Sequence, residues 1–312
     1  MERVSKVKLS VWVAQQLAAQ GIEECFMLTG GGAMHLNHAI GTHPDIRTTF
    51  CHHEQALAMA AEAYGRLTNK LAVVNVTSGP GGTNAITGVY GAHVDSVGMV
   101  VLSGQVKTET TVRSTGLPLR QYGDQELDIT PMVGSVTKYA MMVADPLSIR
   151  YHLEKAIYLA RSGRPGPTWL DIPLDVQSAM IDPEALHPGF DPAEIDEPWK
   201  HTDIPAAARA IIERLVQAER PVVFAGGGVR LSGAHDLFLK LIERLGIPVV
   251  TGWNAHDVLW NDHPLNCGRP GSMGDRGGNM VTQSADFLLI LGSRLNIRQV
   301  SYNWQSFARE AY

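Results

Sequence analysis

Apolar positions along this chain recur with two periods that take turns. Leu9, Trp12, Val13 and Leu17 fall at helical spacing between Ser5, the expected N-cap, and Gly21, where the helix should end. A continuous apolar run follows, Cys25-Phe26-Met27-Leu28, as in a strand buried on both faces. The spacing predicts further strands over 46–50, 71–76 and 97–103. It predicts helices over 53–67, from the glycine turn at 77–84 to about Tyr90, and over 146–161. Strands alternating with helices in this way mean a parallel sheet covered on both faces. Residues 164–173, bracketed by Pro165, Pro167 and Pro173, read as an edge strand that closes a first domain over 1–180.

The pattern then lapses and resumes. Residues 181–203 contain Pro183, Pro188, Pro192 and Pro198 among many acidic positions and show no apolar period, which reads as a linker. An amphipathic helix over 205–218, a strand over 221–225, the turn Gly226-Gly227-Gly228, a helix over 234–245 and strands over 248–251 and 287–291 repeat the first arrangement. Residues 204–312 are therefore expected to form a second domain, incomplete because the chain stops at Tyr312 in a helix-like stretch with no closing strand. The fold class expected is α/β, as two doubly wound parallel-sheet domains. Length agrees, because single cores rarely grow far beyond about 250 residues and this chain has 312.

Composition narrows the function classes. A hydrophobic content of 45% is ordinary for a globular chain. The net charge of -5, with no cluster of Lys and Arg, argues against nucleic acid as a partner. No run approaches the roughly 18 apolar residues that would cross a bilayer, and the first residues do not form a signal peptide. Cys25, Cys51 and Cys267 are too scattered for a disulfide framework or a metal knuckle, so a reducing cytoplasm is expected.

The candidate chemistry gathers around Glu54. In open parallel sheets the ligand crevice lies beyond the carboxyl ends of the strands. The Gly30-Gly31-Gly32 turn, Glu54 and the Gly79–Asn84 turn all follow strands directly, so they should share one rim. Glu54 has two roles open to it: a charge complementing a helix N-terminus, or a desolvated carboxylate doing proton work. No dinucleotide fingerprint, phosphate-binding Gly-x-x-x-x-Gly-Lys, zinc-protease helix or Gly-x-Ser-x-Gly elbow is present. A glycine-walled rim with one carboxylate and no nucleophile suits a cofactor that brings its own reactive atom.

An ordered set of motifs carries a resemblance. His53-Glu54-Gln55, Thr77-Ser78-Gly79-Pro80-Gly81-Gly82-Thr83-Asn84, Ser103-Gly104-Gln105-Val106, Gln125-Glu126, Ser162-Gly163-Arg164-Pro165-Gly166-Pro167 and Asp171-Ile172-Pro173 resemble the pyrimidine-binding domain of thiamine-diphosphate enzymes of the acetolactate synthase type. Ala225-Gly226-Gly227-Gly228-Val229-Arg230 and Asp262-His263-Pro264-Leu265 resemble that family's central domain. The resemblance implies that Glu54 hydrogen-bonds a ring nitrogen of thiamine diphosphate and promotes the tautomer that deprotonates the thiazolium carbon. A 2-keto acid such as pyruvate would then lose carbon dioxide, and its acyl unit would add to a second carbonyl.

Other roles follow from the same likeness. Pro80, Asn84 and Gly31 are implied as cofactor-binding, and Gly32 and Gln125 as substrate-facing. Asp124 stands before Gln125 where acetolactate synthases usually carry an aromatic, which leaves the acceptor open. Gly226, Gly227, Gly228, Arg230 and Arg294 match part of a flavin (FAD) site, but Leu295-Asn296-Ile297 departs from the usual segment and relatives without flavin exist, so both outcomes stay open. Magnesium and the diphosphate are held in the family by a Gly-Asp-Gly motif on a third domain. That motif is absent here, so no metal ligand is expected in this chain. The chain then reads as an N-terminal portion, inactive alone, of an enzyme that is a homodimer or homotetramer. The alternative is a non-catalytic binding or assembly module.

Overall fold

The computed structural model describes residues 6–197 and 201–312; Ser5, the expected N-cap, and Pro198 of the expected linker lie outside the described residues. The chain divides into two compact units between Glu197 and Pro198.

In the first unit the strands are β1 (Val7–Lys8), β2 (Glu24–Met27), β3 (Arg47–Phe50), β4 (Val73–Val76), β5 (Met99–Gln105), β6 (Tyr139–Met142), β7 (Pro167–Pro173) and β8 (Met180–Ile181). Six of them form a parallel sheet in the order β3-β2-β4-β5-β7-β6. Every residue of β4, β5 and β7 is buried, which is why these segments read as unbroken apolar runs rather than alternating ones. Adjacent residues serve opposite faces. Val73, Val100 and Leu170 pack with α1 (Leu9–Ala19), α2 (Met34–Gly41) and the helix Ile149–Arg161. Val74, Val101 and Trp169 pack with α3 (Glu54–Thr68) and α4 (Pro80–Asp95). The doubly wound α/β reading holds.

Four features differ from the sequence expectation. The strand over 164–173 is not an edge: β6 lies outside it, with Tyr139 opposite Thr168 and Met142 opposite Asp171. The prolines that suggested an edge stand at the two ends of β7, so the amide groups between them remain available to both neighbours. The helix after the glycine turn runs on to Asp95, where Ser96 in the left-handed region ends it. The helix α2 was not foreseen. The expected linker, residues 181–203, is packed over its first part: Ile181 and Leu186 are buried in the core, and Phe190 sits edge-on to Tyr151 and against Tyr158. β8 also pairs antiparallel with β1, so this segment belongs to the first unit.

The second unit holds a three-stranded parallel sheet, β10-β9-β11, from β9 (Pro221–Ala225), β10 (Val249–Thr251) and β11 (Phe287–Leu291). The helix His235–Leu245 buries Phe238 and Ile242. The helix Ile204–Gln217 buries none of its residues and leaves Ile212 and Val216 exposed. Contrary to expectation, the last residues are not helical. Tyr312 donates to the Asp286 carbonyl and accepts from the Leu288 amide, and its ring stacks on Phe287 at the start of β11. Among the described residues no helix is long and apolar enough to cross a membrane.

Candidate active site

The site is built where β3 and β4 hand over to α3 and α4. His53, with extended backbone, is the N-cap of α3 and its Nδ1 accepts the Gln55 amide at 3.1 Å, a helix-start role. Glu54 follows as the first helical residue and is only 8% exposed. Its Oε2 accepts a hydrogen bond from Asn84 Nδ2 at 3.0 Å. The face behind it is Leu57, Ala58, Ala61 and Gly65, while Ala56 points to solvent.

Glycines let the two helices and two turns converge on this carboxylate. At Gly88 of α4, a methyl group would lie 2.6 Å from Ala58 Cβ of α3, so only glycine admits the observed crossing. A methyl at Gly81 would lie 2.8 Å from Thr77 Cγ2 and 3.7 Å from Glu54 Oε1, filling the space beside the carboxylate. The Thr77 side chain also wedges against Gly30, and its Oγ1 accepts the Gly32 amide at 3.1 Å. Asn37 donates to the Gly30 carbonyl and Gln177 to the Gly32 carbonyl, which fixes the first turn from below. Thr77 and Gly81 are site residues that sequence reasoning quoted within a motif without singling out. The signal was the β-branched hydroxyl that stands between the end of β4 and the glycine turn at Gly79.

The structure therefore brings Glu54, Asn84, Gly32 and the Gly79–Asn84 turn to one rim. Pro80 stands exposed at the first position of α4, and Gly31 is exposed with open space around it. Gln125 is exposed with φ +55°, and its carbonyl oxygen abuts Gly79, itself at φ +58°. The segment carrying it is organised by the Glu126 carboxylate, which collects the amides of Val112, Tyr122 and Gly123. Among the described residues no cluster of three or more His, Cys, Asp or Glu side chains could hold a metal ion.

In the second unit the three glycines do something else. Gly226 donates to Leu291 O and Gly228 to Gly292 O, and a side chain at either would overlap the Gly292 backbone. Arg230 reaches the Asp257 carboxylate at 2.7 Å, whereas Arg294 is exposed. A cavity of about 320 Å³ beside the end of β10 is lined by Thr251, His256, Asn266, Arg269 and Asp275, the last two joined at 3.4 Å.

Comparison with known proteins decides the family. Residues 7–132 match the thiamine pyrophosphate enzyme N-terminal TPP binding domain, and residues 208–312 match the central domain of the same enzymes. The chain belongs to the thiamine pyrophosphate enzymes. Within them it is similar to the acetolactate synthase large subunit of Lactococcus lactis, 34% identical over 304 residues that cover 96% of this chain and 51% of the relative. It is likewise similar to the acetolactate synthase large subunit of Corynebacterium glutamicum, 33% identical over 99% of this chain and 47% of that protein. The acetolactate synthase isozyme 3 large subunit of Escherichia coli is 32% identical over 96% and 50%. The chain thus spans about half the length of the curated relatives it matches. A buried carboxylate whose free flank is kept open by Gly81 fits the aminopyrimidine side of a thiamine pyrophosphate enzyme. Of the residues matched to a flavin site, Gly226, Gly228 and Arg230 are engaged within the second unit, whereas Arg294 is exposed.

Proposed function

We propose that this chain supplies the pyrimidine-side half of a thiamine-diphosphate site, in an acetolactate synthase-like enzyme that decarboxylates a 2-keto acid such as pyruvate and transfers the acyl unit to a second carbonyl. The observation that carries the reading is Glu54: buried at the strand-to-helix turn, held by Asn84 through Oε2, with Oε1 toward the space that Gly81 keeps clear. In this role Glu54 holds a proton at a ring nitrogen, and the low local dielectric strengthens that hydrogen bond. The bound cofactor would supply the nucleophilic carbon and store the electrons. Pro80, Gly31 and Asn84 line the cofactor side, with Gly32 and Gln125 toward the substrate. Magnesium and the diphosphate are not assigned to residues of this chain, and flavin is no part of the proposal: Gly226, Gly228 and Arg230 are engaged within the second unit, although Arg294 is exposed.

Association of copies into a homodimer or homotetramer is part of the proposal, supported by Met59 and Tyr90 exposed on the outer faces of α3 and α4. Three free thiols support a cytoplasmic setting. The test is calorimetric titration of thiamine diphosphate with magnesium into this chain and into a chain extended by any natural downstream sequence. The extended protein should bind and decarboxylate pyruvate, and Glu54→Gln should lower that rate by on the order of 10² or more. No binding by the extended protein, or an unchanged rate in the variant, would overturn the enzyme reading in favour of a non-catalytic assembly module.

A further inference from the structure

Beneath the rim, a buried polar chain crosses the middle of the sheet. Trp169 Nε1 donates to Ser103 Oγ at 2.8 Å, and Ser103 Oγ donates to Asp171 Oδ1 at 2.5 Å. Gln105 Nε2 donates to Asp171 Oδ2 at 3.0 Å and to the Leu127 carbonyl at 2.7 Å, while Gln105 Oε1 accepts the Val106 amide. Asp171 is 1% exposed, on a strand every residue of which is buried. An ionised carboxyl there opposes the hydrophobic logic of the core unless something is gained. The far end of the chain of bonds shows what: Leu127 follows Gln125 and Glu126, the segment whose backbone abuts Gly79 beside Glu54.

We propose that Asp171 is a positioning residue for the substrate-side loop: its ionised carboxylate orients the Gln105 amide, which clamps Leu127 and so sets Gln125 against the Gly79 turn. The meaning of this for substrate rests on the proposed function, but the clamp itself does not. Both carboxylate oxygens accept, so Ser103 and Gln105 are satisfied together. A proton on Oδ2 removes the acceptor that Gln105 uses, and a proton on Oδ1 must be accepted by Ser103 Oγ, whose own hydroxyl hydrogen then loses its acceptor; either way one bond of the chain is given up and the clamp loosens. The charged groups acting on Asp171 are Asp128 and Arg113, which pair with each other at 2.8 Å on the same loop. Burial, opposed by the Ser103 and Gln105 hydrogen bonds, raises the Asp171 carboxyl to about 7, so the two states exchange near neutrality.

A group that only served stability would move in one direction. With its folded pKa raised, Asp171 contributes stability that is fully present below about pH 4 and is lost as pH rises through about 7. The clamp runs the other way, forming as the carboxyl ionises. Hydrogen exchange of the full chain between about pH 6 and pH 8, expressed as protection factors, reads both at once. Amides of residues 122–129 should gain several-fold protection as pH rises, while the global opening free energy falls. Asp171→Asn should flatten the loop response. A loop whose protection is independent of pH, or follows global stability in the same direction, would overturn the clamp. The titration of the unmutated chain decides the matter even if the variant does not fold. Cofactor binding plays no part in this measurement, so the clamp and the thiamine-diphosphate reading can fail separately.

Discussion

Asn84 Nδ2 donates to Glu54 Oε2 across 3.0 Å, joining the start of α3 to the second turn of α4 over 30 positions of sequence. The bond uses one oxygen of a nearly buried carboxylate and so selects its rotamer, leaving the other turned toward Gly81. Asn84→Ala should cost about 1–3 kcal/mol in urea unfolding, because the buried acceptor loses its donor. Asn84→Asp should be more damaging at neutral pH, since two carboxylates would face each other. Its stability should recover on acidification as the pair takes up a shared proton. An Asn84→Asp protein as stable as the parent at pH 7 would show that the bond does not hold Glu54.

The crossing of α3 and α4 makes that bond geometrically available. Gly88 meets the Ala58 backbone and Cβ so closely that an added methyl must push the helices apart. Gly88→Ala is expected to destabilise the chain by about 1–3 kcal/mol in spite of alanine's better helix propensity. It should also lower thiamine-diphosphate affinity in the extended protein, because separation of the helices carries Asn84 away from Glu54. Calorimetry and chemical denaturation on the same variant would show whether the two losses travel together.

The sequence made the sheet legible where burial is two-sided, because runs such as Val73-Val74-Asn75-Val76 admit few other readings. It also placed Glu54 and the glycine turns on one rim, since all follow strands of a parallel sheet. It did not reveal β6, where only Met142 of Tyr139–Met142 is buried and the run is short and bounded by no glycine or proline. Prolines at both ends of β7 read as an edge signal, although an edge is decided by what lies beside a strand and not by its own residues. Partners such as Asn84 for Glu54, or Gln105 for Asp171, depend on tertiary approach that no local period encodes.

Composition misled most over residues 181–197, and that has a measurable consequence. Leu186 is 7% exposed among core residues of the first unit, and Phe190 packs on Tyr151 and Tyr158 beside Lys155, whose Nζ lies 5.4 Å from the Phe190 ring centroid. A tether would tolerate Leu186→Ala. A packed strap should lose about 2–3 kcal/mol of unfolding free energy for the same change. Equilibrium denaturation followed by the fluorescence of Trp12 and Trp169, both in this unit's core, would distinguish the two.

Thiol chemistry offers a separate test of the sheet. Cys25 lies in β2, fully buried between β3 and β4, and burial first, then the neighbouring Glu24 charge, push its thiol well above the usual range. The hydrogen bond from the Asn75 backbone opposes this but does not offset it. Because the thiolate is the reactive form, Cys25 is doubly protected, by access and by protonation. Cys51 and Cys267 are partly exposed and all three thiols are free. A thiol reagent added to the folded chain at mildly alkaline pH should therefore label Cys51 and Cys267, with Cys25 reacting only as the first unit unfolds. Its labelling rate should rise with denaturant in step with the loss of structure. Rapid labelling of Cys25 in the absence of denaturant would mean that β2 is not enclosed by its two neighbours, and the sheet order that places Glu54 at the rim would have to be redrawn.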